Sequence, residues 1–271
     1  MPKAKVNGIN INYRVQGNGE PLVLIMGYSG DRNGWIFQTP VFKKHYRVIT
    51  FDNRGIGKTD KPWGAYSTKM MADDTIGLMD HLSIKKAHIL GISMGGMIAQ
   101  ALAINYPERI NKLVLGCTLP GTTGTNEMSG PAPDWLKSFG RGEDYTEDDV
   151  RSIPIRKMTD TMSSLAFNRL LFRMIFIPMM KIITRLNGDT GLIGQFEANL
   201  SHNTFDNLSK IKVPTLVING TKDRLIKPSS SEVIAKLIPN AKLVQIDGGS
   251  HNFFMEMSSR FNKEVLDFLR A

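Results

Sequence analysis

A serine lies between closely spaced glycines in the run GISMGG at residues 91–96. An apolar stretch typical of a strand precedes this run, and a stretch typical of a helix follows it. Glycines two positions either side of Ser93 allow a turn so tight that any Cβ there would collide. Such a turn lifts the hydroxyl clear of the sheet and points the first helical N–H groups at the same space. The pattern indicates a nucleophile beside an oxyanion site; the alternative is a glycine-rich turn without chemistry.

Serine chemistry also requires a base and an acid. The hydroxyl is a poor nucleophile at neutral pH unless an imidazole takes its proton, and a carboxylate orients that imidazole. His251 follows the last predicted strand and Asp223 follows the strand before it, at ends where a parallel sheet presents its ligands. Asp247 also follows a strand, but it lies only four residues before His251 in a glycine turn. We predict Ser93 as the nucleophile, Asp223 as the acid and His251 as the base, with no metal.

Four further histidines compete with His251 for the role of base. His45 and His81 lie in polar surroundings and are predicted to be at the surface. His88 lies inside the strand that leads to Ser93 and is predicted to pack. His202 falls late in a central insertion, where it is predicted to contact substrate or, alternatively, to lie at the surface.

The elements that must position these residues alternate between strand and helix from about residue 20 to 118, and again after residue 213. The alternation predicts an α/β fold with a mostly parallel sheet flanked by helices. Residues 35–44 and 253–269 are among the predicted helices. Only helical patterns and loops occur between the two blocks. We therefore predict a first core segment at residues 1–122 and a second core segment at residues 209–271. Between them, at residues 123–208, we predict a helical cap inserted between strands 6 and 7.

Four stretches resemble the α/β-hydrolase fold superfamily, and together they cover nearly the whole chain: LIMGY at 24–28, DNRGIGKT at 52–59, GISMGG at 91–96, and GTKDRLIKP at 220–228 with GSH at 249–251. The resemblance implies the same serine, acid and histidine in the same chain order. It also implies an oxyanion hole made by the backbone N–H groups of Tyr28 and Met94, with substrate contacts there and at Gly27. Within the superfamily, the chain looks most like small esterases, enol-lactonases and thioesterase-like members with a helical cap.

Two positions separate this chain from some members of the superfamily. Many relatives have histidine just before the glycine of the oxyanion loop, where this chain has Met26. The backbone donor at Tyr28 survives that change, although the packing of the loop must differ. Serine at position 93 excludes the haloalkane dehalogenase and epoxide hydrolase branches, because those attack with aspartate.

The inserted cap is predicted to select the substrate. Its residues 151–185 are basic and rich in methionine and other large apolar side chains. Methionine is flexible and polarisable, so a cap lined with it can adapt to acyl chains; alternatively these residues only pack the cap on the core. The basic charge also suggests the hypothesis of a phosphate-bearing handle on the acyl group, such as coenzyme A.

Composition sets the wider frame. The 271 residues are 41% hydrophobic and 22% charged, as in a globular domain with an insertion. A single cysteine, Cys117, is predicted to be buried and inert, and it fits a reducing compartment. The chain shows no signal-peptide pattern and no apolar run of about 20 residues, so we expect a soluble cytoplasmic protein. The net charge of +9 is scattered without a recognisable nucleic-acid module, so no nucleic-acid partner is expected.

The combined pattern predicts a serine hydrolase that cleaves small-molecule carboxylic esters through an acyl-enzyme on Ser93, without a cofactor. Hydrolysis of acyl-coenzyme A thioesters, enol-lactones or C–C bonds uses similar residues and remains open. A small-molecule receptor that keeps the same residues is an alternative of another class. Such a receptor would show negligible multiple turnover on activated esters.

Overall fold

The computed structural model describes residues 2–121 and 151–271. In this part of the chain a single sheet has the strand order β1-β2-β4-β3-β5-β6-β7-β8. The strands are β1 (Lys3–Val6), β2 (Ile9–Gln16), β3 (Pro21–Ile25), β4 (Arg47–Phe51), β5 (Ala87–Ile92), β6 (Ile110–Gly116), β7 (Thr215–Gly220) and β8 (Ala241–Ile246). β1 and β2 pair antiparallel, β2 joins β4 antiparallel, and all the remaining pairs are parallel. The mostly parallel sheet expected from the sequence is confirmed.

Helices numbered along the described chain flank this sheet. They are α1 (Thr39–Phe42), α2 (Thr68–His81), α3 (Met94–Asn105), α4 (Ile155–Leu165), α5 (Leu170–Asn187), α6 (Asp189–Leu200), α7 (Pro228–Leu237), α8 (Phe253–Glu256) and α9 (Ser258–Arg270). Short 3₁₀ helices occupy Arg32–Trp35, Pro107–Arg109 and Phe205–Lys210. Within residues 2–121 and 151–271, none of these helices has the length and apolar character needed to cross a membrane.

Successive side chains of a strand point to opposite faces of the sheet. Helices pack on both faces, so the side chains on each face are buried. In β3, Val23 and Ile25 join a buried cluster with side chains of α2, α3 and α7. Leu22 and Leu24 join a second cluster with side chains of α1 and α9. Every residue of β5 and of β7 is buried. This double burial explains why the central strands are continuous apolar runs rather than alternating ones.

Two predicted helices are wrong in extent. Residues 35–44 do not form one helix: the 3₁₀ helix Arg32–Trp35 is followed by the separate α1. Pro40 lies in the first turn of α1, where its missing N–H is tolerated; further inside a helix it would break a hydrogen bond. Residues 253–269 are likewise divided, because Met257 leaves the helical region at φ −125°, ψ 39°. The chain changes direction there, between α8 and α9.

The insertion between β6 and β7 contains α4, α5 and α6, which pack against one another. The predicted boundary between residues 122 and 123 lies outside the described residues. The predicted boundary between 208 and 209 falls inside the 3₁₀ helix Phe205–Lys210, whose Leu208 packs in a core cluster with α3. Both boundaries stay predictions.

Candidate active site

Ser93 occupies the sharp turn between β5 and α3. Its backbone has φ 53° and ψ −126°, a strained conformation for a residue with a side chain. A Cβ on Gly91 would collide with the carbonyl oxygen of Gly95, and a Cβ on Gly95 would collide with that of Ile25. Glycine is therefore required on both sides of the serine for steric reasons, as the sequence predicted.

Three side chains from separate loops form one hydrogen-bonded series. His251 Nε2 lies 3.1 Å from Ser93 Oγ, and His251 Nδ1 lies 2.8 Å from Asp223 Oδ2. The other carboxylate oxygen, Asp223 Oδ1, accepts the backbone N–H groups of Leu225 and Ile226 at 2.8 and 3.0 Å. A carboxylate held in this way favours the tautomer with hydrogen on Nδ1, which leaves Nε2 free to accept the serine proton.

The competing residues lie elsewhere. Asp247 is exposed and accepts a hydrogen bond from Thr221 at 3.1 Å, away from the histidine. His45 and His81 are exposed, as predicted from their polar surroundings. His88 is buried, as predicted, with Nε2 lying 3.0 Å from the carboxylate of Glu20.

Glu256 holds the loop that carries the histidine, a contact that sequence reasoning missed. Its buried carboxylate accepts the hydroxyl of Ser250, the residue just before His251. The same carboxylate accepts the backbone N–H groups of Asn168 at 2.9 Å and Arg169 at 2.7 Å, at the start of α5. One side chain therefore joins the histidine loop to the cap. The sequence contains no local signal for this link to the cap, because Asn168 and Arg169 are more than 80 residues away from Glu256 along the chain.

The connection between α4 and α5 makes further contacts with both functional loops. The N–H of Asn252, next to His251, donates to the carbonyl of Ala166 at 2.9 Å. The side-chain amide of Asn168 donates to the carbonyl of Lys222, next to Asp223, at 3.3 Å. The position of the cap is therefore linked through hydrogen bonds to the loops of both the acid and the base.

The two predicted oxyanion donors, Tyr28 and Met94, belong to segments next to the serine. A Cβ on Gly27 would be only 3.0 Å from Ser93 Cβ, so the loop after β3 passes directly beside the serine. Met94 is the first residue of α3, where the N–H groups lack partners within the helix. Among the described residues, the N–H groups of Tyr28 and Met94 have no backbone partner. This arrangement suits a developing oxyanion.

Tyr28 also links the core to the cap. Its hydroxyl lies 3.0 Å from Thr159 Oγ1 on α4. Burial raises the pKa of the Tyr28 phenol well above its usual value, so the group stays neutral at physiological pH. Tyr28 can therefore line the site and form hydrogen bonds through its hydroxyl, but it cannot act as a base.

A cavity of about 360 Å³ opens above Ser93 and His251, between the core and the cap. Gly27 and Tyr28 line it on the core side, together with Met26 at the position discussed above. The cap contributes apolar side chains of α4 and α5, namely Met162, Phe176, Met179, Met180 and Ile183. Three of the five methionines in residues 151–185 therefore line the cavity, whereas Met158 is buried and Met174 is exposed.

The structure corrects one predicted substrate contact, His202, and restricts another, Met94, to its backbone. Met94 is fully buried and does not line the cavity, so only its backbone N–H is available to a ligand. His202 is also buried away from the cavity, with its ring nitrogens 3.0 Å from Thr68 Oγ1 and 3.3 Å from Thr204 Oγ1. Burial lowers the pKa of His202 to about 3, so the ring is neutral. His202 holds the end of the cap against α2, a structural role that its exposed-looking sequence context did not indicate.

Cys117 lies close to the acid Asp223 and the base His251. Its sulfur and donor atoms of Asp223 and His251 all lie within 4.8 Å of one another, a spacing that could hold a metal. However, burial raises the pKa of the thiol well above its usual value, and a thiol is a poor metal ligand while protonated. The facing atoms of Asp223 and His251 are already hydrogen-bonded to each other. The donor set fits an acid–base pair better than a metal site.

Comparison with known proteins agrees with this fold. Residues 20–257 match the family model of the α/β hydrolase fold, and the chain belongs to that family. It is 30% identical over 265 residues to a putative non-heme bromoperoxidase of Mycobacterium tuberculosis. The match covers 97% of this chain and 98% of that protein. The enol-lactonase from Burkholderia xenovorans superposes with a TM-score of 0.85 at 29% identity, over 100% of both chains. A bromoperoxidase from Bacillus anthracis superposes with a TM-score of 0.88 at 26% identity, over 100% of this chain and 99% of that one.

Proposed function

We propose that the protein is a serine hydrolase of carboxylic esters. The observation that supports this proposal is the hydrogen-bonded series from Asp223 through His251 to Ser93, at the floor of an apolar cavity. A hydroxyl, an imidazole and a carboxylate in this order are suited to acyl transfer. The apolar wall above them is suited to an uncharged acyl group.

The reaction proceeds in two halves. Ser93 Oγ attacks the acyl carbon while His251 Nε2 takes the serine proton, and the N–H groups of Tyr28 and Met94 stabilise the oxyanion. The C–O bond to the leaving group then breaks, and the imidazolium gives its proton to the departing alkoxide. In the second half, water attacks the acyl-enzyme as His251 takes a proton from it. That proton returns to Ser93 Oγ when the carboxylic acid leaves.

The direct test is turnover on p-nitrophenyl esters from acetyl to dodecanoyl, with Ser93→Ala as the matched variant. We expect the rate to peak at one chain length, because the cavity is finite, and to fall by about 10⁴-fold or more in the variant. A wild-type protein that is inert on every ester, or a variant that stays active, would refute the proposal.

Lactone hydrolysis is a second candidate. It is favoured by the likeness to the enol-lactonase, which extends over both whole chains. A lactone is a cyclic ester, so the same steps cleave it, with the difference that the alcohol remains attached to the acid. A kcat/KM for lactones well above that for open-chain esters of similar size would favour this candidate over the first.

The remaining alternatives separate in the same series of assays. Coenzyme A thioesters as preferred substrates would support the idea that the basic cap holds a phosphate-bearing handle. A substrate cleaved at a C–C bond faster than any ester is cleaved would favour C–C hydrolysis. Tight binding of an ester or lactone without multiple turnover would indicate a receptor.

A further inference from the structure

Helix α5 is apolar on both sides. Its inward side packs on the core and lines the cavity through Phe176, Met180 and Ile183. Its outward side carries seven large apolar residues that are 41% to 80% exposed: Leu170, Leu171, Met174, Ile175, Met179, Ile182 and Leu186. A helix with apolar residues all round is normally buried on every side. The outward side of α5 is therefore a surface that requires a partner.

The exposed residues form one continuous stripe. Leu171, Ile175, Ile182 and Leu186 follow helical spacing, so they project from the same side of α5. The stripe runs almost the whole helix, a length of about 24 Å at the usual rise per residue. Apolar patches of this extent on a protein surface typically mark an interaction site rather than isolated exposed residues.

Every charged residue of α5 and of its N-cap is basic. By helical spacing, Lys181 and Arg185 lie beside Met174, on one flank of the line formed by Leu171, Ile175, Ile182 and Leu186. Arg169 and Arg173 lie at the start of the helix. The helix contains no acidic residue. The nearby Asp189, at the start of α6, is paired with Arg156 at 2.7 Å. An apolar stripe edged by lysine and arginine has the chemistry of a helix that lies in the headgroup region of an anionic bilayer.

The charges also argue against a second copy as the partner. A two-fold interface between two α5 helices would bring together two helices that each carry basic residues, without an acidic residue on either helix to compensate. A single helix also presents a convex surface. A bilayer can accept such a surface, whereas a protein partner would need a matching groove.

The stripe is continuous with the mouth of the cavity. Met179 belongs to the exposed stripe and also lines the cavity. Ile36, which is 59% exposed, lines the cavity from the core side. A bilayer in contact with α5 would therefore lie beside the entrance to the site.

We propose that α5 docks the protein on an anionic lipid bilayer, with the helix in the plane of the headgroups and the cavity mouth beside the membrane. Pro178 and the four basic residues of this region keep the helix from spanning the bilayer. Docking does not depend on the proposed hydrolysis. Ser93→Ala is therefore expected to bind membranes as the wild type does.

The test is co-sedimentation with vesicles of phosphatidylcholine alone and of phosphatidylcholine mixed with phosphatidylglycerol. The double variant Lys181→Gln/Arg185→Gln should bind the mixed vesicles about 30-fold more weakly. The double variant Ile175→Gln/Ile182→Gln should lose about tenfold or more, because it removes apolar contact without changing the charge. The matched control is Lys43→Gln/Lys44→Gln, two exposed lysines before β4, at the amino end of the parallel strands and so opposite the end that carries the site. This control should bind almost as the wild type does.

Circular dichroism and melting temperature check that each variant is folded. Wild type that does not sediment with the mixed vesicles overturns the proposal, and so does equal binding by all variants. Equal loss in the α5 charge variant and the control would mean that only net charge matters, which also overturns it. A wild-type dimer in solution that the Ile175→Gln/Ile182→Gln variant converts to monomer, without vesicle binding, would assign the surface to a second copy instead.

Discussion

The two ends of the cavity are built on different physical principles. At the floor, Ser93, His251 and Asp223 are held by directional hydrogen bonds between 2.8 and 3.1 Å, on loops at the ends of buried strands. At the roof, α5 offers apolar side chains that make only non-directional contacts. The floor tolerates little displacement, since acid–base transfer depends on geometry. The roof can be repacked, because apolar packing depends on volume more than on direction.

The largest expected effect lies at the floor. Asp223→Asn keeps the shape of the side chain but can no longer favour hydrogen on His251 Nδ1. We expect kcat on the preferred ester to fall by about 10⁴-fold. The matched control is Asp247→Asn, at the exposed acid on the next strand end. If Asp247→Asn caused the larger loss, the acid would be misassigned.

Glu256 tests whether floor and roof are coupled. Glu256→Ala leaves the Ser250 hydroxyl and the N–H groups of Asn168 and Arg169 without their acceptor. We expect a loss of about 2–4 kcal/mol in the free energy of unfolding and a fall in kcat of up to about 10²-fold, since the histidine loop loses its anchor.

Glu256→Gln can still accept from the two N–H groups while its amide donates to Ser250, so it should restore most of kcat. A purely structural role for Glu256 would lower the melting temperature of the alanine variant and leave its kcat unchanged. That result would separate the two ends of the cavity.

The roof should change selectivity without changing chemistry. Met180→Ala enlarges the cavity from α5, so the preferred acyl chain should lengthen. We expect the ratio of kcat/KM for long to short esters to rise about tenfold, with little change in kcat for the shortest ester. Met174→Ala, on the exposed side of the same helix, is the control and should leave the ratio unchanged. A large loss of kcat on every ester in Met180→Ala would show that the roof is as constrained as the floor.

The smallest effect concerns the seam between cap and core. Burial lowers the pKa of His202 from its ordinary value of 6.5 to about 3 in the folded protein, so between these pH values the unfolded chain binds an extra proton. Stability therefore falls as pH falls, by about 1 kcal/mol between pH 6.5 and about pH 5.5 for this single group. Urea unfolding over this range should show the slope in the wild type. The slope should be absent from His202→Gln, whatever the absolute stability of that variant. Equal slopes would mean that His202 is not buried as a neutral ring.

Much of the floor could be predicted from the sequence. The turn around Ser93 depends on glycines at neighbouring positions, and steric exclusion in so short a segment can be read locally. Asp223 and His251 could be located because each directly follows an apolar strand, and the ends of parallel strands meet at one edge. The parallel sheet followed from the alternation of strand and helix patterns in the same way.

The misplaced residues share a different property. His202 looks like a polar loop residue in sequence, yet its contacts come from α2, more than 130 residues away. Periodicity also could not show the break at Met257, because both α8 and α9 have apolar residues where one continuous helix would have them.

The sequence by itself determined the strands, most of the helices, their order, and the residue types that stand at the strand ends, because these depend on local backbone sterics and on short-range apolar pattern. Only the tertiary structure decided that Glu256 joins the histidine loop to the cap, that His202 is buried at the seam, and that α5 has one apolar side over the cavity and another towards solvent. Those contacts join residues far apart in the chain. Their burial depends on how whole elements pack, which no short segment of sequence encodes.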